Sequence, residues 1–157
     1  MQIRKVTFVC TGNTCRSVMA ERSFKKMIEA SPIESILADS AGTAAMPHYA
    51  IIGDLKAVMD EKGIDYSGHK PRLLNMGIMK ETDLVLAMTE EHKVEIVYRF
   101  PEEKEKVFML SEYVSGEYVD ISDPIGLGVE AYRESFDEIS EYLIKLKEKL
   151  ENEFRNS

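Results

Sequence analysis

The sequence is short of cysteine and of long apolar segments. Of its 157 residues only Cys10 and Cys15 are cysteines, and both lie near the N-terminus. Secreted domains held by disulfides carry more cysteines, spread along the chain, so we expect a reducing compartment and thiols used in chemistry or metal binding. No apolar stretch approaches the roughly 20 residues that span a bilayer, and the first residues lack a signal-peptide core. These absences predict a cytoplasmic protein with no membrane partner.

Positive charge is also scarce. The chain has 20 Lys and Arg residues against 28 Asp and Glu residues, a formal net charge of -8. Because an acidic surface repels nucleic acid and anionic membranes, we expect neither as the main partner. A local cationic pocket within this surface still admits an anionic substrate. The length fits one domain, residues 1–157, with a hydrophobic core of its own.

Strand patterns and helix patterns alternate along the chain. Segments rich in β-branched and apolar residues predict four strands: 3–10, 36–40, 83–88 and 106–110. Apolar residues at helical spacing predict four helices: 17–30, 51–59 with Gly63 as a stop, a helix after Thr89 as its cap, and 129–150. This alternation predicts an α/β fold, a single three-layer domain with helices on both faces of a parallel sheet. Ligands of such folds bind at the carboxyl ends of the strands, where the first turn is Cys10 to Ser17.

That first turn has the composition of an anion-binding loop, Cys10-Thr11-Gly12-Asn13-Thr14-Cys15-Arg16-Ser17. Gly12 permits close approach of the backbone and Asn13 tolerates a left-handed conformation. Successive N–H groups of such a turn, at the start of a helix, form a nest for phosphate. Arg16 adds a planar fork that can bind two phosphate oxygens at once.

Cys10 lies at the mouth of this loop, where donors that bind phosphate also stabilise a thiolate, the nucleophilic form of cysteine. Ser17 can donate to the sulfur and ease its departure in a second step. A Cys-x5-Arg-Ser pattern between a strand and a helix therefore predicts a phosphatase. The alternative is that Cys10 is a buried structural residue, followed by a loop that only caps the helix. A zinc site from the two cysteines and histidines is disfavoured, because the Cys10–Cys15 spacing does not fit a structural zinc clip.

A candidate general acid lies far along the chain, at Asp123. Pro124 biases Asp123 toward an extended backbone, which can aim a loop carboxyl at the site. A basic leaving group such as a phenolate needs a proton as it departs. Asp120 lies in the same loop, and the residues alone leave both aspartates open.

The loop from Val9 to Ser17 resembles the phosphate loop of the low-molecular-weight protein tyrosine phosphatase family nearly residue for residue. The likeness extends over almost the whole chain, to four further places: Asp39–Thr43, His69, Asp83–Met88 and Asp123-Pro124. It implies a four-stranded parallel sheet of the phosphotyrosine protein phosphatase I-like type, no metal and no cofactor. It also implies a phosphorylated protein substrate, a phosphocysteine intermediate, and Asp123 as the general acid.

The same resemblance assigns supporting residues. Four positions match the hydrogen-bonded network that supports the family's loop: Asn13, Ser17, Ser40 and His69. Cys15 matches a resolving thiol that traps an oxidised Cys10 as a disulfide, while its alternative is a small buried loop residue. His48 and His92 match nothing, so we expect both at the surface. We expect a monomer or a weak dimer.

Thr14 separates two classes of substrate. Tyrosine phosphatases of the family usually carry an aliphatic residue there, whereas a threonine resembles the bacterial protein arginine phosphatases. A phosphoguanidinium brings N–H donors that cost about 1–3 kcal/mol when buried unpaired, and the hydroxyl of Thr14 and the carboxylate of Asp123 can accept them. Two positions depart from the pattern: Ile125 lacks the usual aromatic ring after Asp-Pro, and Val18 replaces a proline. We expect phosphoarginine to be favoured, with phosphotyrosine as the alternative.

Three other functions share parts of this loop. A flavodoxin-like FMN-binding electron carrier would use the Thr11–Thr14 segment, but it has no need of Cys10 or Arg16. An arsenate reductase needs further cysteines outside the loop, and this chain has none. A catalytically inactive phosphate-binding adaptor would not need Cys10, Arg16 and Asp123 together.

Overall fold

The computed structural model describes residues 2–157. The strands in this part of the chain form one four-stranded parallel sheet. The strands, in the spatial order β2-β1-β3-β4, are β1 (Lys5–Cys10), β2 (Leu37–Gly42), β3 (Leu84–Ala87) and β4 (Val107–Met109). Each strand falls within two residues of its predicted bounds. The predicted four-stranded parallel sheet is confirmed.

Within residues 2–157, six α-helices and one 3-10 helix connect and cover the strands. The α-helices are α1 (Arg16–Met27), α2 (Gly53–Glu61), α3 (Met76–Glu81), α4 (Glu90–Arg99), α5 (Leu110–Ser115) and α6 (Val129–Arg155), and the 3-10 helix is Pro101–Lys106. The four predicted helices are present as α1, α2, α4 and α6. The predicted cap is also present, because the Thr89 side chain accepts from the backbone N–H of His92. The unpredicted helices have six residues each, too few for an apolar period to repeat.

Side chains of the sheet alternate between two hydrophobic cores, because successive residues of a strand face opposite sides. Val6 and Phe8 of β1 pack with α1, α2 and α6 on one face. Val9 packs with Val85, α3 and α4 on the other. Helices therefore cover both faces, as predicted. Within the described chain, no helix combines the length and apolar character that crossing a membrane requires.

The carboxyl ends of the strands meet beside the first loop. The Cys10 carbonyl accepts from Thr43 N–H, and the Thr11 carbonyl accepts from Ala44 N–H, both at 2.9 Å. The segment after β3 is held to β1 as well, since Met88 N–H donates to Val9 O at 3.0 Å. Chain order reverses between β1 and β3, and this is the switch point at which open α/β sheets bind ligands.

Candidate active site

The loop from Cys10 to Ser17 presents a row of free backbone donors. Within residues 2–157, none of the N–H groups from Thr11 to Ser17 donates to a backbone carbonyl. Asn13 adopts the left-handed conformation, with φ of 58°, and this turns the chain so that it can enter α1 directly after the loop. Consecutive free N–H groups at a helix start, with partial positive charge from the helix, form an anion-binding nest.

A glycine at the end of β2 makes room for this loop. A Cβ atom on Gly42 would lie 2.4 Å from the Thr11 carbonyl oxygen and 2.9 Å from the backbone nitrogen of Asn13. Both contacts are with backbone, which cannot move without reshaping the loop. The close approach of β2 to the loop therefore requires glycine at this position.

The Cys10 sulfur lies against a hydroxyl donor. Cys10 is 3% exposed, and its Sγ lies 3.0 Å from Ser17 Oγ. The Ser17 oxygen already accepts from Asn13 Nδ2 at 2.9 Å, so its own hydrogen is available to the sulfur. A donor aimed at the sulfur stabilises a thiolate, both as nucleophile and as leaving group.

The Asn13 side chain connects the loop to β2 and to the segment between α2 and α3. Its Nδ2 donates to Ser17 Oγ and Ser40 Oγ at 2.9 Å, and its Oδ1 accepts from Arg72 N–H at 3.0 Å. The Asn13 carbonyl accepts from His69 Nε2 at 2.7 Å. The structure thus brings together the four residues that sequence reasoning grouped as loop support.

Glu21 is a member of this network that sequence reasoning missed. It is 4% exposed on α1, and its Oε1 accepts from the Ser40 hydroxyl. Its Oε2 forms ion pairs with Lys25 at 2.8 Å and with Arg22 at 3.1 Å. The signal in the sequence was an acidic residue one helical turn after Ser17, on the face that the loop residues share.

Arg16 lies between the loop and the segment that carries Asp123. Its side chain is 7% exposed; Nη1 donates to Ile121 O at 2.9 Å, and Nη2 lies 3.8 Å from Asp123 Oδ2. The Asp123 side chain is half-exposed, and its Oδ1 accepts from Ile125 N–H at 3.1 Å. An exposed carboxylate beside a buried guanidinium can reach a leaving group bound above the loop.

Asp120, the alternative acid, has a different partner. Its Oδ1 accepts from the backbone N–H of Glu90 at 2.9 Å, at the first residue of α4. This contact satisfies a free donor of the helix N-terminus. The geometry thus brings Asp123 to Arg16 and joins Asp120 to α4.

Cys15 is buried, with 4% of its surface exposed, and both cysteines are free thiols. Burial raises the pKa of Cys15 far above its ordinary value, and the neighbouring Cys10 adds to the rise. The fully buried Tyr132 hydroxyl lies beside Cys15, and burial raises its pKa too. Cys15 therefore stays protonated at neutral pH. Among residues 2–157, no three histidine, cysteine or acidic side chains converge as a metal site.

The expectation that His92 lies at the surface is wrong. His92 is 6% exposed, and its Nε2 lies 2.8 Å from Thr11 Oγ1 in the phosphate-binding loop. Burial first, and then the charge of Arg16, lowers its pKa from 6.5 to about 4. The sequence spacing gave no sign of this contact, because 81 residues separate the partners. His48 is exposed, as expected.

Thr14 and an aromatic ring flank the loop at Gly12. The position of a Cβ on Gly12 would be 3.4 Å from Thr14 Oγ1 and 3.6 Å from the Tyr49 ring. Tyr49 is 41% exposed, whereas Ile125, where an aromatic was expected, is 56% exposed. An aromatic ring from the loop after β2 thus lies beside Gly12. An aromatic residue in a loop at the carboxyl edge of the sheet was a signal that sequence reasoning passed over.

A loop that can hold a tetrahedral anion against a cysteine sulfur is the geometry of phosphoryl transfer to cysteine. On a four-stranded parallel sheet, it defines a class of cysteine-dependent phosphatases. The profile of the low molecular weight phosphotyrosine protein phosphatase family matches residues 5–156. The chain belongs to this family and is a phosphatase of its type.

Individual relatives narrow the comparison. The chain is 39% identical over 150 residues to a protein-arginine-phosphatase of Bacillus subtilis, covering 96% of this chain and 99% of the relative. A protein-arginine-phosphatase of Geobacillus stearothermophilus is 40% identical over 149 residues, covering 95% and 97%. A low molecular weight protein-tyrosine-phosphatase, PtpB of Staphylococcus haemolyticus, is 34% identical over 145 residues, covering 91% and 97%.

Solved structures agree with this assignment. The YwlE arginine phosphatase of Geobacillus stearothermophilus superposes with a TM-score of 0.88 at 40% identity, covering 96% of this chain and 94% of that one. A YwlE arginine phosphatase mutant with a phosphorylated active site serine superposes with a TM-score of 0.89 at 38% identity, covering 93% and 95%. The flavodoxin-like alternative finds no support in these similarities.

Proposed function

We propose that this chain hydrolyses phosphoarginine in proteins in preference to phosphotyrosine, through a phosphocysteine on Cys10. The observation that carries the proposal is the Thr14 hydroxyl beside Gly12, on the wall of a loop built for phosphate. The arginine phosphatases at 39% and 40% identity support the same substrate class.

In the first step, the phosphoryl group binds to the N–H groups of Thr11–Ser17 and to the free N–H groups of Arg16. The Cys10 thiolate attacks phosphorus in line with the leaving nitrogen. An S–P bond forms and the P–N bond breaks, while Asp123 gives its proton to the departing guanidine nitrogen. The loop donors stabilise charge on the equatorial oxygens without rearranging, because they are fixed before the substrate arrives.

In the second step, water attacks the phosphocysteine. The Asp123 carboxylate accepts a proton from that water, and phosphate leaves as the S–P bond breaks. The Ser17 hydroxyl, 3.0 Å from the sulfur, stabilises the thiolate that is regenerated. The same carboxylate thus serves as acid and then as base.

Selectivity follows from the groups beside the phosphate. A phosphoguanidinium carries N–H donors that a phenol ester lacks, and Thr14 Oγ1 and the carbonyl oxygen of the protonated Asp123 carboxyl can accept them. The Tyr49 ring, close to Gly12, offers a face to the planar cation. Ile125 offers only an apolar contact.

The test compares phosphoarginine and phosphotyrosine peptides of one sequence. Wild type should have the higher kcat/KM on phosphoarginine, and Thr14→Ile should shift the ratio of the two kcat/KM values about 10- to 100-fold toward phosphotyrosine, because a buried N–H loses its acceptor. Thr14→Ser, which keeps the hydroxyl, is the matched control and should keep the wild-type ratio. An unchanged ratio in Thr14→Ile would refute the role of Thr14.

We also propose that Cys15 protects Cys10 from irreversible oxidation. Cys15 lies in the same short loop as Cys10, and both are free thiols. Peroxide converts the Cys10 thiolate to a sulfenic acid, and Cys15 then displaces water to form a disulfide that added thiol reduces. Cys15→Ser should recover less activity than wild type after peroxide and then thiol. Equal recovery would exclude the resolving role.

A further inference from the structure

The first turn of α4 touches both loops of the site. The Thr89 side chain accepts from His92 N–H at 3.2 Å and so caps the helix. The backbone N–H of Glu90 donates to Asp120, three residues before Asp123. The ring of His92 reaches the phosphate-binding loop from the same turn. This turn therefore connects the segment of the general acid with the segment of the nucleophile.

The His92 ring joins two hydroxyl groups. Its Nδ1 lies 2.9 Å from Thr89 Oγ1, and its Nε2 lies 2.8 Å from Thr11 Oγ1. Thr11 directly follows Cys10 and provides the first N–H of the loop. On the opposite side the Thr11 carbonyl accepts from Ala44 N–H at 2.9 Å. Thr11 is thus held from two directions, by its backbone and by its side chain.

We propose that His92 is a positioning residue that acts through the Thr11 hydroxyl and fixes the start of the phosphate-binding loop before substrate arrives. The inference rests on the proposed phosphatase function. Fixed donors contribute more to catalysis than donors that must reorient during the reaction. Thr11 is exposed, so without the ring its side chain would be free to rotate and the first N–H of the loop would be less fixed.

The charge of the surroundings suits a neutral ring. Arg16 lies close enough to His92 to disfavour a second positive charge, while Asp120 and Asp123 act in the opposite sense. The ring is also buried, which disfavours protonation further. A neutral imidazole joins both threonines without adding charge beside the bound phosphate. The positioning role should therefore persist across the neutral pH range.

The test is a double-mutant cycle of His92→Phe and Thr11→Val. Two readouts are kcat/KM for an aryl phosphate with a good leaving group and the dissociation constant of inorganic phosphate. The good leaving group makes the rate independent of the general acid. Each single variant should lose about 10-fold in both readouts, the effect of one part-buried hydrogen bond. The double variant should lose no more than the worse single variant, because both remove the same bond.

His92→Gln is the conservative variant, since its side-chain amide can reach toward Thr11, and it should recover most of the loss. Ile96→Val is the control for packing. Ile96 lies on the same helix and is buried in the core that contains Val9 and Val85. This variant should lower the melting temperature and leave kcat/KM unchanged. If His92→Phe does not fold, the cycle is run with His92→Asn, which is too short to reach Thr11.

Two results would overturn the inference. One is a double variant whose loss equals the product of the losses of His92→Phe and Thr11→Val, since the two residues would then act independently. The other is a lowered melting temperature of His92→Phe with unchanged kcat/KM and phosphate affinity, which is a purely structural role. Failure of wild type to hydrolyse any phosphorylated peptide or aryl phosphate contradicts the proposed function instead. Phosphate affinity across the cycle still decides the role of His92 in that case.

Discussion

At the residue scale, two aspartates three positions apart have different surroundings. Asp123 lies 3.8 Å from the buried Arg16 guanidinium, whereas Asp120 accepts from the first N–H of α4. The sequence could not separate them by chemistry, because both are loop carboxylates near one proline. Only the partners of each carboxylate distinguish them, and those partners lie on other elements.

Asp123→Asn should lower kcat about 10²- to 10⁴-fold on substrates with poor leaving groups, because no proton is delivered to the departing atom. On an aryl phosphate with a good leaving group the loss should be far smaller. Asp120→Asn is the matched control: it should weaken the start of α4 by about 0.5–2 kcal/mol and show no dependence on the leaving group. Steady-state rates over a series of leaving groups measure both. A steep dependence in the Asp120 variant would reverse the assignment.

Protonation of His92 makes folding stability depend on pH. Its pKa is about 4 in the folded state, lowered by burial and by Arg16, against 6.5 ordinarily. Between these values the unfolded chain binds a proton that the folded chain does not. Stability should therefore fall as pH decreases from 6.5 to about 4, by up to about 3 kcal/mol. Urea unfolding of wild type and His92→Gln across this range isolates the effect, and parallel pH curves for the two proteins would contradict it.

Residues of the site differ in how visible they are in the sequence. Cys10 and Arg16 could be predicted from the sequence because the chemistry proposed for them is local: one turn holds both the proposed nucleophile and the proposed phosphate donors. His92 and Tyr49 reach the loop from α4 and from the loop after β2. Their placement depends on strand order, which no local pattern encodes. Glu21 is intermediate: its spacing from Ser17 on α1 could be seen in the sequence, but its contact with Ser40 could not.

At the element scale, the end of β2 determines the shape of the phosphate-binding loop. Gly42 is the last residue of β2, pairs with Cys10, and has room for no side chain beside Thr11 and Asn13. Strand prediction found β2 but ended it at Ser40. Its last residues belong to the strand because they pair with β1, and pairing is a tertiary property.

Gly42→Ala should abolish most activity and destabilise the protein, because the added carbon would meet two backbone atoms of the loop at 2.4 and 2.9 Å. Gly53→Ala is the matched control: Gly53 begins α2, and a Cβ there meets nothing within 4 Å. It should leave activity intact and stabilise the fold by about 0.4–1 kcal/mol. Thermal unfolding and kcat/KM of both variants check this. Wild-type activity in Gly42→Ala would show that the loop tolerates displacement.

Helix prediction succeeded where an apolar period could repeat. The stripe of α6 is buried from Tyr132 to Leu150 and packs against α1, α2 and α5. Helices α3 and α5 are shorter than two turns, and their stability comes from contacts rather than from a pattern. Their local signals were the Asn75 cap of α3 and the left-handed Gly116 that ends α5.

At the scale of the whole molecule, the negative surface influences substrate approach. The formal net charge is -8, while the loop would offer an anion only neutral N–H groups and one buried arginine. Long-range repulsion and local attraction therefore act together on a phosphorylated protein. Salt screens the long-range repulsion over about 10 Å at 0.1 M and weakens the local attraction at the buried site less.

Peptides that differ only in flanking charge should reveal this repulsion. On raising salt from about 10 to 300 mM, kcat/KM should rise severalfold for an acidic phosphorylated peptide and fall for a basic one. A peptide with uncharged flanks is the control and should change little. If kcat/KM for all three peptides changed equally with salt, the salt dependence would arise in the site itself and not from surface charge.

The most direct test of the central claim is the mass of Cys10→Ser after incubation with a phosphoarginine peptide. A serine oxygen can accept the phosphoryl group but is a poor leaving group for the hydrolysis step, so the intermediate should accumulate. We predict one added phosphoryl group, mapped by peptide sequencing to position 10, with none on a Cys10→Ala control. Phosphate on another residue, or an unmodified Cys10→Ser protein beside an active wild type, would contradict covalent catalysis at this position.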